Sequence, residues 1–348
     1  MPMSAPLRIA VVGAGLIGAR HCAHVAADAQ MTLACVVDPS PAGEAVARLH
    51  TANWRVDIAE TLAKDRLDGV IVATPNRLHV EHALAAIEAR VPVLVEKPIA
   101  HDVAGARRLV AAAEQAGVAL AVGHHRRHNP LIQRARAIIA EGRLGPLVAA
   151  HGQFWLKKPG EYFDVAWRRQ AGAGPLLINC IHDVDLLRHL VGEIVSVQAM
   201  ASNAQRGFEV EDAAAILLRF ENGALGTFSI TDAAVAPWSW EQSSGENAAY
   251  PNAGQNCYLI AGARGALSVP TLEVWTQPGA RGWHEPLRVE REVRAAQDPL
   301  ALQLRQFARV IGEGEAPLVS GRDGLRALEI IEAIHRAAAS GARVEVTP

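Results

Sequence analysis

Apolar residues in the first third of the chain fall in short unbroken runs, each followed by a stretch of helical spacing. The runs are Ile9–Val12, Leu33–Val37, Asp68–Thr74, Val91–Val95 and Val118–Val122. They are rich in β-branched residues and do not alternate with polar ones, as expected of parallel strands covered on both faces. Pro41–His50, Leu78–Ala89 and a segment from Asp102 to Gly117 carry helical periodicity, the last with Asp at its start and Gly at its end. Arg55–Ile58 fits one more short strand. Strands alternating with helices predict a doubly wound α/β domain whose ligands lie beyond the C-terminal edge of the sheet.

The pattern changes near residue 125. A helix over Pro130–Glu141, a strand over Leu147–Trp155 and a helix over Leu176–Val191 precede strand-like runs at Ile194–Ala201, Ala213–Phe220 and Leu225–Ile230, with a hairpin signal at Asn222-Gly223. Ala234–Gln255 has no periodicity and reads as a long, functional loop. Cys257–Gly262, Ala266–Val269 and Leu272–Thr276 extend the sheet, and helices over Leu300–Ile311 and Gly324–Ala339 close the chain. The organisation predicted is an α/β fold in two domains. Residues 1–125 form a Rossmann-type parallel sheet, and residues 126–348 an α+β domain with a mainly antiparallel, open sheet. Ile216, Leu217 and Leu218 are consecutive within Ala213–Phe220, as if both faces of that strand were covered. This predicts a homodimer or homotetramer packed through the second sheet.

Composition narrows the function. A chain of 348 residues exceeds one comfortable core. Its net charge of −2 carries no nucleic-acid or membrane signature. Cys22, Cys35, Cys180 and Cys257 lack CxxC spacing, so no metal site or disulfide framework is indicated. MPMSAPLR has no apolar segment and no 18-residue apolar run follows, so a cytoplasmic location is expected.

Candidate chemistry sits at strand ends. Gly13, Gly15 and Gly18 fall as G-x-G-x-x-G after the first strand, with Leu16 and Ile17 opening the helix. Asp38, 20 residues after Gly18, ends the second strand where a carboxylate meets an adenosine ribose. The predicted cofactor is NAD. Thr74-Pro75-Asn76 and Glu96-Lys97-Pro98 each follow a buried strand at the same edge, and Glu96 and Lys97 thereby become cofactor candidates. Lys97, after an apolar run, either pairs with Glu96 or turns a poorly hydrated charge on a ligand. In Gly172–Leu190, helical spacing places Ile178, His182, Asp185 and His189 on one face and Asn179, Asp183, Leu186 and Leu190 on the next. His182 is either a satisfied core histidine or a base of suitable pKa for an alcohol. The run His124–His128 points its side chains in different directions, without acidic partners at ligand spacing. Arg126 and its neighbours fit the border of a cofactor or an anionic group better than a metal.

The segments VVGAGLIGARH, ATPNRLH, VEKPIA, VGHHRR and GAGPLLINCIHDVDLL together resemble the Gfo/Idh/MocA oxidoreductases, relatives of glucose-fructose oxidoreductase and inositol 2-dehydrogenase. The resemblance covers nearly the whole chain. It implies an N-terminal NAD(P)-binding Rossmann domain and a second domain that carries the substrate side and the oligomer contact. It also implies that Lys97 and His182 are the catalytic pair, and that Thr74, Pro75, Asn76 and His79 contact cofactor, as do Trp167-Arg168, which match a family pair. One position departs. Family members commonly carry an aspartate four residues before the histidine, where this chain has Ile178. Asn179 is then the candidate for positioning substrate or imidazole, with Arg126 and Asp183 as further substrate contacts. The expected activity is NAD-dependent oxidation of a secondary alcohol on a cyclic polyol or sugar-like small molecule. A carboxylated cyclic diol (quinate-like or a dihydrodiol) is the alternative substrate, and a non-catalytic NAD-sensing regulator the alternative class.

Overall fold

The computed structural model describes residues 5–277, 282–293 and 295–346. The chain divides into two compact units: the first runs to His128 and takes in Pro299–Leu328, while the second holds Asn129–Asp298 and the chain after Leu328.

The first unit alternates strand and helix: β1 (Leu7–Val12), α1 (Leu16–Ala27), β2 (Met31–Val37), α2 (Pro41–Leu49), β3 (Asn53–Arg55), α3 (Ile58–Lys64), β4 (Gly69–Val72), α4 (His79–Glu88), β5 (Val93–Val95), α5 (Val103–Ala116) and β6 (Leu120–Val122). The six strands are all parallel, in the order β3-β2-β1-β4-β5-β6. The order reverses direction beside β1, which places the glycine turn at the topological switch point. The Asp102 carboxylate caps α5 by accepting from the Gly105 N–H at 2.7 Å. Arg55–Ile58, expected as a strand, instead ends β3 and starts α3. Asp57 accepts from the Glu60 N–H at 2.9 Å, so this Asp-x-x-Glu is a helix start.

The second unit comprises α6 (Pro130–Ala140), β7 (Leu147–Trp155), α7 (Pro175–Ile178), α8 (Cys180–Val191), β8 (Ile194–Ser202), β9 (Ala213–Phe220), β10 (Leu225–Thr231), α9 (Trp240–Ser244), β11 (Tyr258–Gly262), β12 (Gly265–Val269), β13 (Glu273–Thr276) and β14 (Arg288–Arg291). With β15 (Val344–Glu345) they build a nine-stranded sheet, β14-β13-β12-β11-β7-β10-β9-β8-β15. Only the β7–β10 pair is parallel. Helices α6 and α8 pack on one face and cover Phe154, Phe228 and Ile260. Alternation in β9 is strict rather than weak: Ile216 and Leu218 face the core, and Leu217 faces outward, 54% exposed. The apolar run therefore reflects an apolar residue on the open face.

Three expectations change. The helix predicted over Leu176–Val191 is broken at Asn179 into α7 and α8. The aperiodic stretch 234–255 contains α9, anchored by Trp240, which is 1% exposed. Of the two closing helices, α10 (Pro299–Glu313) does not belong with residues 126–298. It buries Leu304, Phe307 and Val310 among Ile9, Val36 and Ile71 of the first unit. α11 (Gly321–Ser340) begins in the first unit, and Leu328 is the last residue assigned there. Periodicity marks a helix's apolar face but not the sheet that receives it. β14 went unseen because all four of its residues are exposed and none alternates.

Candidate active site

The glycine turn is built by crowding at two positions and open space at the third. Gly13 has φ +94°, and a Cβ there would lie 2.7 Å from the Ala73 carbonyl oxygen. A Cβ at Gly18 would lie 1.9 Å from the Gly13 oxygen, so α1 can approach β1 only without a side chain. A Cβ at Gly15 would meet nothing within 4 Å among the described residues beyond its own chain neighbours. Gly15 is also the N-cap of α1 and supplies no side-chain cap. Open backbone N–H groups at a helix start, with room in front of them, suit a pyrophosphate.

Beyond the turn lies a cleft of about 760 Å³ lined by Gly13, Gly15, Leu16, Ile17, Asp38 and Thr74, among others. Asp38 is oriented by three donors: the Ala14 N–H at 2.8 Å, the Ser40 N–H at 2.8 Å and the Ser40 hydroxyl at 2.5 Å. Burial would raise its pKa, but the bonds from Ser40 and Ala14 outweigh it and hold the carboxyl below its ordinary value. The cleft fits the adenosine end of a dinucleotide, with an anionic acceptor at the ribose. Val56, Asp57, Ile58, Leu78 and His82 also line it. Val56, Asp57 and Ile58 were missed because the start of α3 reads as a strand, although Asp57 and Glu60 at capping-box spacing signal it; Leu78 and His82 belong to the foreseen helix, whose periodicity does not say which face meets the cleft.

Of the next segment, Thr74 and Pro75 line the cleft. The Thr74 hydroxyl lies 3.2 Å from His82 Nδ1, and Asn76 opens a short 3-10 turn. His79 does not face the cleft. It is 1% exposed, with Nδ1 2.8 Å from the Pro98 oxygen and Nε2 2.7 Å from the Thr74 oxygen. Burial lowers its pKa despite these carbonyls. It ties the Thr74 turn to the segment after Lys97, which is support rather than cofactor contact.

Lys97 follows β5 and is half-buried. Glu96 before it is 5% exposed and faces His21, its Oε1 2.7 Å from His21 Nε2. Its other oxygen accepts from the Lys97 N–H at 3.3 Å. Burial works to raise the Glu96 pKa, but the His21 hydrogen bond, with the charges of His21, His125 and Lys97, brings it down to about 2. Glu96, expected at the cofactor, is thus an ionised carboxylate nearly sealed from solvent and bonded to His21 and the Lys97 N–H. Arg126 is 5% exposed in the turn after β6, and Arg127 bonds Asp323 at 3.2 Å.

In the second unit, the joint between α7 and α8 carries the candidate chemistry. Asn179 has φ −109° and ψ −54°, and its carbonyl accepts from the His182 N–H at 3.0 Å. The Asn179 Oδ1 is buried with no hydrogen-bond partner among the described residues. His182 is 6% exposed on the first turn of α8. Asp183, expected at the substrate, is 1% exposed and accepts from the Tyr258 hydroxyl. That bond ties α8 to β11. Trp167 is 52% exposed, and the Arg168 guanidinium stacks 4.1 Å from the Tyr162 ring centroid and donates to the Tyr162 oxygen at 2.9 Å. Sequence reasoning missed a charged cluster beyond the ends of β7 and β10. There Lys158 lies 3.1 Å from Asp232 and Arg206 bonds the same carboxylate. Burial lowers the Lys158 pKa against the opposing pull of Asp232.

Fold and cleft define the class: a protein built on a nucleotide-binding Rossmann unit. Residues 7–124 match the oxidoreductase family with an NAD-binding Rossmann fold, and residues 132–268 match the Gfo/Idh/MocA C-terminal domain. The chain belongs to the Gfo/Idh/MocA family, as the sequence segments implied. It is 31% identical to the 1,5-anhydro-D-fructose reductase of Ensifer adhaerens, over 83% of each chain. It is 26% identical to the scyllo-inositol 2-dehydrogenase (NAD(+)) of Bacillus subtilis (strain 168), over 94% of this chain and 93% of that one. The crystal structure of GenD2 from gentamicin A biosynthesis, in complex with NAD, is similar at 28% identity with a TM-score of 0.79, covering 100% of this chain and 98% of that chain. No helix among the described residues is long and apolar enough to cross a membrane.

Proposed function

We propose that the protein is an NAD-dependent dehydrogenase acting on a secondary alcohol of a cyclic polyhydroxy compound. The observation that carries this reading is Lys97, half-buried at the C-terminal end of β5 next to an ionised carboxylate, on the same sheet edge as the glycine turn. Gly15 and the first turn of α1 would hold the cofactor's pyrophosphate, and Asp38 its adenosine ribose. When bound, the nicotinamide supplies two-electron oxidation of the alcohol carbon. Lys97 donates a hydrogen bond to the substrate oxygen and stabilises the charge that develops there. His182 takes the hydroxyl proton. Asn179 offers an unsatisfied acceptor next to the position where Ile178 can offer none. The inositol and anhydro-sugar activities named for the relatives favour this substrate class.

Asp38 also argues for NAD over NADP. A 2′-phosphate would meet an ionised carboxylate, and Pro39 and Ser40 supply no arginine. We expect at least about tenfold higher kcat/KM with NAD, a modest use of a charge clash. Equal turnover with NADP would overturn the assignment of Asp38.

One observation favours the carboxylated-diol reading: Arg168 Nε is buried without a hydrogen-bond partner among the described residues, as a donor awaiting an anion would be. The deciding experiment is NADH formation by purified protein against inositols, anhydro sugars, aldoses, quinate-like acids and dihydrodiols. Turnover confined to the acids and diols moves the second reading ahead, and none at all leaves the NAD-sensing regulator. With an active substrate, His182→Ala should lower kcat by about 10²–10⁴-fold with unchanged NAD affinity, and Lys97→Ala comparably. Full activity in either variant would remove that residue from the mechanism.

A further inference from the structure

α1 does two things, one with its N-terminus and one with its buried face. Its N-terminus carries the glycine turn, and on its buried face His21, 0% exposed, reaches Glu96 from 75 residues away. Glu96 sits in a fitted seat: a Cβ at Gly123 would lie 2.8 Å from its Oε1. Its second oxygen holds the Lys97 N–H. We propose that His21 is a positioning residue for Lys97, acting through the Glu96 carboxylate, so that the helix that cradles the cofactor also sets the lysine. The proposal rests on the reading of Lys97 as the charge-stabilising group.

The physical reason is the cost of a buried carboxylate. Sealed from water, Glu96 would take up a proton unless hydrogen bonds and charges favour its ionised form. The groups facing it are His21 from α1, His125 from the turn after β6, His79 from α4 and Lys97 itself. Among these, the His21 bond leads the effects that favour the ionised form. An ionised Glu96 in turn favours the protonated amine of Lys97, which is the form that can stabilise an alkoxide. Without its histidine the carboxyl either protonates or turns, and Lys97 loses both its counter-charge and its backbone anchor. A helix-to-sheet tie of purely structural value would make no such difference to a lysine amine.

The chain has only four lysines, Lys64, Lys97, Lys157 and Lys158, so reductive ¹³C-methylation of the whole protein yields few signals, assignable by single Lys→Arg substitutions. His21→Leu should lower the titration midpoint of Lys97 by about one unit or more, and Glu96→Gln should do the same. Lys64, Lys157 and Lys158 should stay in place. His21→Gln, whose amide can donate to the same oxygen, should hold the midpoint near the native value. On a substrate identified by the screen, His21→Leu should lower kcat by about 10²-fold, the scale of a misplaced catalytic group. In a Lys97→Ala background it should then cost no more than about twofold. An unmoved Lys97 midpoint in folded His21→Leu overturns the proposal, as does a full multiplicative loss in the Lys97→Ala background. Should His21→Leu not fold, an unmoved midpoint in Glu96→Gln overturns it instead. An active Lys97→Ala enzyme would sink the catalytic reading of the lysine separately, because the titration needs no substrate.

Discussion

At Asn179, stability and function make opposite demands on one side chain. A buried amide oxygen without a partner costs free energy, on the order of 1–3 kcal/mol when nothing satisfies it. A position kept at that cost, beside the histidine and after an isoleucine that cannot hydrogen-bond, suits an acceptor reserved for substrate. Asn179→Ala should therefore be at least as stable as the native protein in thermal unfolding, while kcat/KM falls by about 1–3 kcal/mol. A variant that loses stability and keeps kcat/KM would make Asn179 an ordinary joint residue. Asp183 and His79 show the reverse case. Each reads as a contact in the sequence, yet in the structure one Asp183 oxygen accepts from the Tyr258 hydroxyl and the His79 ring lies between two backbone carbonyls of its own unit. Chemical type was legible at both positions; its direction was not.

Among the elements, α1 separates two jobs that a single motif blurs. Gly15 faces open space, so Gly15→Ala should change unfolding free energy by no more than about 0.5 kcal/mol. The added methyl would stand where a phosphate approaches, so NAD affinity measured by calorimetry should fall by about tenfold or more. Gly18→Ala instead forces a carbon against the Gly13 carbonyl and should destabilise by about 1–3 kcal/mol, the usual cost of overpacking. If both variants bound NAD normally, the cleft would not be the dinucleotide site. The same scale explains the missed start of α3. Its Asp57–Glu60 cap was in the sequence, but Val56 and Ile58, an exposed residue and a buried one flanking the cap, imitated a strand.

For the whole molecule, the open face of the nine-stranded sheet bears on assembly. Met200, Leu217, Leu225 and Leu259 are 78%, 54%, 58% and 49% exposed there, too much apolar surface for a sheet meant to face water. We propose a homo-oligomer packed through this face. Light scattering at micromolar concentration should give a dimer or tetramer. Leu217→Asp should give a smaller species, since a charge on that face would be desolvated by association. A native monomer at that concentration would overturn the proposal.

Local pattern by itself determined most of the architecture and the chemical types at the strand ends. Whether a run is buried on both faces or one is written in its periodicity, and a glycine turn needs its glycines wherever the rest of the chain goes. Gly13, Gly15, Gly18, Asp38 and Lys97 could therefore be picked out before any fold was known. What periodicity leaves open is the partner. Only the tertiary structure decided that α10 packs into the first unit, that the helix before His182 breaks at Asn179, and that β9 shows an apolar face outward. It also decided that His21 and Glu96, 75 residues apart, meet at 2.7 Å. Each of these is a choice among distant surfaces of similar composition, made by packing and by the need to satisfy buried polar groups, and neither force leaves a mark on neighbouring residues.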